Sequence, residues 1–469
     1  MLLNRASIIV LFCLIIITNK ALSQNPVKLS YLEYLGNVVE NNPISKRAVN
    51  IQKYGEYQFK AAKGNYDPLI SGGYENKFYG GSNYYSILNS EIKQPIFTSQ
   101  FLKFGYDYGI GSNVNPELKT STYGLPYLGV EVGLLQGLMI DSRRASYLKS
   151  KEYINYYSAE SKIQLNSLLF ESSQRYFDWL FALKQVSLTR YFFQLAQQRL
   201  TGVEALANIG EEAAVDTIEA AIFLQSRQLD FQSSSLENQK IMNDLASYNW
   251  QNNGIAEIQA NYESVDSLET HYENARGILF KMLNQDSINN PVISKYNSFQ
   301  NVLEIENRFR KEMIKPRLNI NYNLLSNNPN AFNPILSTNN YKWGLNLSFP
   351  LLLRNSRNEY KMAKLNAQNN SFELANKSNE LDFKMNMLKQ TINLTLEQLQ
   401  VAQKSVKYTK QLVEAEKLKF INGESSLFMV NTRESKWLET ELKLAEYKLK
   451  FIKTVLNIIY LKGNLNYLF

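Results

Sequence analysis

The sequence predicts a mainly α-helical chain with membrane β-strands, built as a duplication. Three observations carry this. Leu318, Ile320, Tyr322 and Leu324 alternate with Asn319, Asn321 and Asn323, the period of a strand with one apolar face. Two proline-free arms run from Arg143 to Gly210 and from Arg357 to Gly423, spans of 67 and 66 residues. The triplet Asn41-Asn42-Pro43 recurs as Asn289-Asn290-Pro291, 248 residues on, with the same kinds of element following each copy in the same order.

Composition narrows the class. With 469 residues, 44% hydrophobic and 20% charged, the chain is no disordered polymer, collagen or small disulfide scaffold. Only 11 Pro and 21 Gly favour long helices, while 30 Tyr and 24 Phe supply aromatic surface. One His and one Cys exclude most zinc sites and most nucleophile–histidine devices, so no metal, no cofactor and no enzyme activity is expected. The formal charge of +8 is scattered, which fits a solvated surface and not nucleic-acid binding.

Residues 1–23 read as a secretory signal peptide: Arg5, the apolar run Ala6 to Ile17, then Ala21-Leu22-Ser23 at the cleavage site. Cys13 lies inside the apolar run after Phe12, so it is not a lipidation site, and the mature chain has no disulfide. No later segment has 18 consecutive apolar residues, which leaves transmembrane β-strands as the way into a bilayer.

The first repeat covers 24–254. A helical stretch from Leu29 ends at Asn-Asn-Pro, a helix follows, and a strand opens at Pro68. Leu128, Val130, Val132 and Leu134 alternate with small or polar residues in the last strand of this repeat. The long arm then starts near Asp141-Ser142-Arg143, turns at Ile209-Gly210-Glu211 and returns to Asn253-Gly254. The second repeat, 255–469, holds a helix from Leu268 to Leu283, a strand hairpin at about 317–350, an arm from Asn355-Ser356-Arg357, a turn at Asn422-Gly423-Glu424 and a return ending near Lys462-Gly463. In that return Leu427, Val430, Trp437, Leu438, Leu442 and Leu449 recur at helical spacing. Each arm, helical throughout, would span about 100 Å, a length that calls for antiparallel coiled-coil packing.

A half-buried sheet in a soluble protein gives the same alternation as a membrane strand. A barrel is favoured because the apolar faces are rich in aromatics, the chain is exported, and few other elements are left to cover those faces. Tyr79, Tyr341 and Trp343 suit a bilayer interface, or are ordinary strand composition. The first repeat carries a surplus at about 80–123, where Leu102, Phe104, Tyr106, Tyr108 and Ile110 alternate with Lys103, Gly105, Asp107 and Gly109. It reads as an inserted hairpin. It extends outside the barrel or adds strands to it; the extension is favoured, because two more strands per chain would widen the barrel relative to the helical tube.

Taken in order, these pieces resemble the TolC family of outer-membrane efflux proteins across the mature chain. The matching segments are the two Asn-Asn-Pro helices, the proline-opened strands, the strand end Gly344-Leu345-Asn346-Leu347-Ser348-Phe349-Pro350-Leu351 and the turn Phe420-Ile421-Asn422-Gly423-Glu424-Ser425-Ser426-Leu427, followed by Arg433 and Glu434. The resemblance implies a homotrimer whose three chains close one twelve-strand β-barrel, continued by a periplasmic α-helical barrel. It implies an outer-membrane duct of a Gram-negative bacterium, in a tripartite efflux or type I secretion system. Small molecules or polypeptides reach it from a periplasmic adaptor (membrane fusion) protein and an inner-membrane RND or ABC transporter. The alternative is a periplasmic adaptor or structural coiled-coil protein without a channel. Adaptors need a Gly-rich β-domain and lack a full duplication.

Function should concentrate at the turns. Gly210, Glu211 and Glu212, with Gly423, Glu424, Ser425 and Ser426, are the candidates for adaptor docking; Asp216, Leu427, Phe428 and Met429 are the candidates for the aperture. A plainer account stands beside this. Glycine permits a tight turn, and acidic residues after it favour the positive end of the returning helix. By the resemblance, Asp216 matches an aspartate that holds the closed aperture. The position of its arginine partner is Ser425 here, and that of the family's aperture aspartate is Met429. Closure is therefore expected to use apolar contacts near Leu427, Phe428 and Met429, or another ion pair. His271 is expected in a surface or groove position without a metal, and the terminal Phe469 is incidental.

Overall fold

A computed structural model describes residues 27–96, 99–211, 213–251, 254–255, 262–283, 290–326 and 336–463. The signal-peptide residues, Glu212, Asn289 and Phe469 lie outside these. In chain order, β1 (Val27–Leu29), α1 (Tyr31–Asn41) and α2 (Pro43–Lys63) lead into four strands, β2 (Leu69–Tyr79), β3 (Ser82–Pro95), β4 (Gln100–Ile110) and β5 (Leu125–Gly133). The first arm is α3 (Ser142–Asn208) with its return α4 (Ala214–Tyr248). Short strands β6 (Trp250–Gln251), β7 (Gly254–Ile255) and β8 (Tyr262–Ser264) precede α5 (Leu268–Leu283) and α6 (Pro291–Glu312). Strands β9 (Arg317–Ser326) and β10 (Leu336–Ser348) follow, then the second arm α7 (Arg354–Ile421) and its return α8 (Leu427–Leu461).

The duplication is close in length: the arms have 67 and 68 residues and the returns 35 each. The returns are shorter than the sequence suggests, because each stops at a specific cap. Asn42 donates its side-chain amide to the carbonyl of Tyr248, the last residue of α4. Asn290 does the same for Leu461, the last residue of α8. Both asparagines are buried. A helix end leaves carbonyls without partners, so the recurring Asn-Pro pairs each close the C-terminus of their own repeat's return helix while the proline starts the next helix. Leu29 sits in β1 and not in the first helix, which begins at Tyr31 behind the N-cap Ser30.

The chain divides into two compact units, one of Met1–Val49, Lys162–Asn290 and Glu380–Phe469, the other of Asn50–Ser161 and Pro291–Asn379. The first has a core of Tyr34, Leu35, Leu168, Tyr176, Trp179, Leu245, Leu399, Phe451, Leu456 and Ile459, contributed by α1, α3, α4, α7 and α8. Strand β1 pairs in parallel with β8, and Asp266 beyond β8 accepts from the Tyr31 amide and the Tyr176 hydroxyl at 2.8 and 3.1 Å. His271 stands edge-on to Tyr31 and Phe177 in this core, 3.4 Å from Asp266. Burial pushes its imidazole below the usual histidine range against the pull of that carboxylate.

The second unit contains one six-stranded sheet in the order β10-β9-β5-β4-β3-β2, antiparallel throughout. The surplus segment belongs to the same sheet: β3 and β4 stand between β2 and β5, each hydrogen-bonded to its neighbours. Gly80 and Gly81, at φ of 62° and 78°, make the two-residue turn from β2 to β3 that a right-handed twist favours. Ala145 of α3 and Ile305 of α6 pack together in this unit with Ile140, which just precedes α3. Glu306 of α6 accepts from both Lys149 and Arg310 at 2.6 Å.

Candidate functional site

Two surfaces are candidates for function: the two faces of the sheet, and the turns between arm and return.

The register sorts the strands onto two faces. Starting from Ile92 on β3, cross-strand partners run to Ile70 on one side and to Phe104 and Leu128 on the other. From Leu128 the row continues through Leu324 to Tyr341. The same face carries Tyr74, Leu88, Leu102, Val130, Tyr322, Trp343, Leu345 and Leu347. All six strands thus share one apolar face, and it is open: Ile70 is 74% exposed, Trp343 64% and Leu347 67%. Below it Leu351 and Leu352, and Leu134, Leu135 and Met139 in the first repeat, are exposed as well. A contiguous surface of this size marks contact with lipid or another protein, since water disfavours it.

The opposite face is polar and half-buried. Glu131 on β5 receives Lys93 and Lys103, each at 2.7 Å. Lys103 also reaches Asn321 of β9 at 3.5 Å. The Tyr127 hydroxyl donates to Glu91 at 2.9 Å, crossing the intervening strand over Gly105. A Cβ on Gly105 would lie 2.1 Å from that ring, so the glycine is the notch that lets Tyr127 lie flat. Gly129 does the same for Asn323 of β9. These polar side chains tie β3, β4, β5 and β9 together, so the surplus strands are bound into the sheet along its polar face. Sequence reading named the alternation but not the network. The glycines at alternate positions of β4 and β5 were the available signal.

At the turns, the sequence-chosen glycines adopt left-handed backbone, φ 80° at Gly210 and 74° at Gly423. Each closes its arm with the same pair of bonds: Gly210 to Ala207 and Glu211 to Leu206, Gly423 to Phe420 and Glu424 to Lys419. This is the Schellman arrangement, formed twice at equivalent places. The returns start differently. Ser426 caps α8 by accepting from the Met429 amide, whereas Ala213 offers α4 no side-chain cap, and Asp216 lies in its first turn. Glu211, Gly423, Glu424, Ser426 and Phe428 are exposed, and Asp216, Ser425 and Met429 partly so. Leu427 is buried against Val203 and Ala220 of the first hairpin, with Leu200 and Phe420 beside them, so it clamps the two hairpins together and does not face outward. Ser425 donates to Glu416 at 2.6 Å, and Arg433 stands 3.5 Å from the same carboxylate. The Ser425 bond above all, opposed by burial and aided by Arg433, holds Glu416 below the usual carboxylate range.

Farther along the arms lies a buried network that the residue choices missed. Glu434 of α8, 1% exposed, takes Arg199 of α3 at 2.5 Å and Lys417 of α7 at 2.9 Å. Arg199 also donates to Asn431 at 2.7 Å. In the sequence Arg433 and Glu434 stand out only as part of a segment, because nothing local says that Arg199, 235 residues away, is the partner. Among the described residues no cluster of His, Cys, Asp and Glu could hold a metal, and no helix is long and apolar enough to cross a membrane.

No family model matches the chain, and no curated protein matches it. Solved structures do. The Campylobacter jejuni CmeC outer membrane channel aligns with a TM-score of 0.64 and 13% identity, over 92% of this chain and 85% of that one. VceC, an outer membrane protein of Vibrio cholerae, gives 0.63 and 11%, over 92% and 95%. The open state of the Neisseria gonorrhoeae MtrE outer membrane channel gives 0.61 and 11%, over 92% and 88%. The chain has the fold of these TolC-like channels: mainly helical, with strands and two long helical arms.

Proposed function

We propose that this protein is a passive outer-membrane duct for efflux, with its sheet in the outer membrane of a Gram-negative bacterium and its helical arms in the periplasm. The observation that carries this is the pair of sheet faces. Large apolar side chains stand exposed over all six strands, and charged and amide groups cover the other side. A water-filled barrel in lipid needs that division. The likeness to solved outer-membrane channels supports the same assignment.

The first and last strands of the sheet, β2 and β10, each have an open edge. Unpaired edges are not tolerated in hydrocarbon, so copies of the chain close the wall together, as a homotrimer. The duct serves a tripartite efflux or type I secretion system, passing small molecules or polypeptides from a periplasmic adaptor and an inner-membrane RND or ABC transporter. The turns, exposed at Gly210, Glu211, Gly423, Glu424 and Ser426 and partly exposed at Ser425, are the adaptor docking surface, together with Glu212 outside the described residues. Asp216, Phe428 and Met429 border the aperture, while Leu427 acts from within by holding the hairpins in register.

The test is extraction from outer membranes in mild detergent, light scattering for mass, negative-stain imaging, and conductance in planar bilayers. A conducting trimer with a hollow helical stalk is expected. A compact, non-conducting monomer would refute the assignment.

A further inference from the structure

The sheet has six strands per chain where the sequence led us to expect four in the wall. We propose that the closed assembly is an eighteen-strand barrel, in which β10 of one copy pairs with β2 of the next. This rests on the duct assignment above and adds to it the number of strands and the identity of the junction.

Strand direction permits the closure. Every neighbouring pair is antiparallel, so β2 and β10, at the two ends of six strands, run in opposite directions. The last strand of one copy therefore meets the first strand of the next antiparallel, and the head-to-tail contact closes as a ring. The faces match too. Ile70, Tyr74 and Phe78 of β2 share the apolar face with Tyr341, Trp343, Leu345 and Leu347 of β10, and all are more than half exposed. On the polar face Glu75 and Lys77 would continue the row that ends in Lys342 and Asn346.

The occupant of these edges is a second copy of this chain. The alternative is that the β2–β3 hairpin folds out, leaving β4 to pair with β10 in a twelve-strand barrel. The ties from Glu91 to Tyr127 and from Lys93 to Glu131 hold β3 to β5 across β4 and oppose that. At a strand spacing of about 4.8 Å and a tilt of about 40°, eighteen strands give a backbone diameter of about 36 Å and twelve about 24 Å.

The experiment is disulfide trapping in outer membranes, in a background with Cys13 removed or cleaved away. Polar-face cysteines are placed on β2 (Ser71→Cys, Glu75→Cys or Lys77→Cys) in combination with Lys342→Cys or Asn346→Cys on β10. Several positions are paired because the stagger at the junction is not fixed by one chain. A second set pairs Lys103→Cys or Asp107→Cys on β4 with the same β10 sites. The expected result is reducible, covalently linked trimers from at least one β2–β10 combination and none from β4–β10. Axial views of the extracted trimer should show the wider ring. A trimer that links β4 to β10, or that forms no β2–β10 bond at any combination, overturns the eighteen-strand closure while leaving the duct intact. A protein that is neither trimeric nor membrane-inserted overturns both.

Discussion

Replacing Glu434 by Gln should unlock the two helical hairpins from each other. Glu434 is 1% exposed and faces two cations, Arg199 at 2.5 Å and Lys417 at 2.9 Å, while its second oxygen, Oε2, is buried without a hydrogen-bond partner. At an effective dielectric of about 20, unit charges at these separations attract by about 6 kcal/mol per pair before screening and desolvation are set against it. Lys417 is 37% exposed, so water screens its share, and Arg199, at 13%, carries most of the rest. The carboxylate repays several kcal/mol of desolvation from that attraction. Removing one partner of such a buried pair costs about 3–5 kcal/mol, because a guanidinium is left facing a neutral amide. The assay is hydrogen–deuterium exchange of the detergent-extracted protein, read on peptides within 196–206 and 427–438. At about 1.4 kcal/mol per factor of ten, exchange by local opening should accelerate roughly 10²- to 10⁴-fold. Arg199→Met with Glu434→Leu should recover most of the protection, since an apolar pair avoids both the desolvation and the orphaned charge. Less than a threefold change in Glu434→Gln would refute the reasoning and mean that the network is solvated.

Other outcomes follow from the same geometry. Gly423→Ala forces a β-carbon into left-handed backbone and should cost about 1–2 kcal/mol, seen as faster exchange confined to the second turn; an equal effect in the first turn would argue against a local cause. Asn290→Ala leaves the last carbonyl of α8 without its donor and should cost about 1–3 kcal/mol, read as a lower thermal midpoint, with Asn42→Ala giving a matching loss. Because Glu416 is held below the ordinary carboxylate range, its contribution is present above that range and disappears as pH falls through the lowered value. Ser425→Ala raises that value, so acid loosening of the turn, followed by exchange between about pH 5 and pH 3, should begin at higher pH; an unchanged onset would show that Ser425 does not set it. If exposed Phe428 narrows the aperture, Phe428→Ser should raise single-channel conductance, and an unaltered conductance removes it from the gate.

The sequence by itself determined the elements that depend on local pattern. The alternation of Leu318, Ile320, Tyr322 and Leu324 with asparagines, the proline-free arms and the turns at Gly210 and Gly423 are properties of neighbours a few residues apart. Such patterns read directly as strands, helices and left-handed caps. The helix from Leu268 to Leu283 came out with those bounds for the same reason. What only the tertiary structure decided are pairings between distant segments. Which edge of β5 receives β4 and which receives β9 is a choice among backbone donors that are alike in every strand. The period-two pattern of residues 102–110 therefore allowed a hairpin within the sheet or apart from it. The notch at Gly105 that Tyr127 crosses, and the bonds Glu131 makes to Lys93 and Lys103, fix those strands within the sheet. The same holds for Asn42 and Asn290, whose burial at the ends of α4 and α8 explains a repeat that sequence showed only as a mark. It holds equally for Arg199 and Glu434: a charge on a long helix looks solvated until another hairpin packs over it.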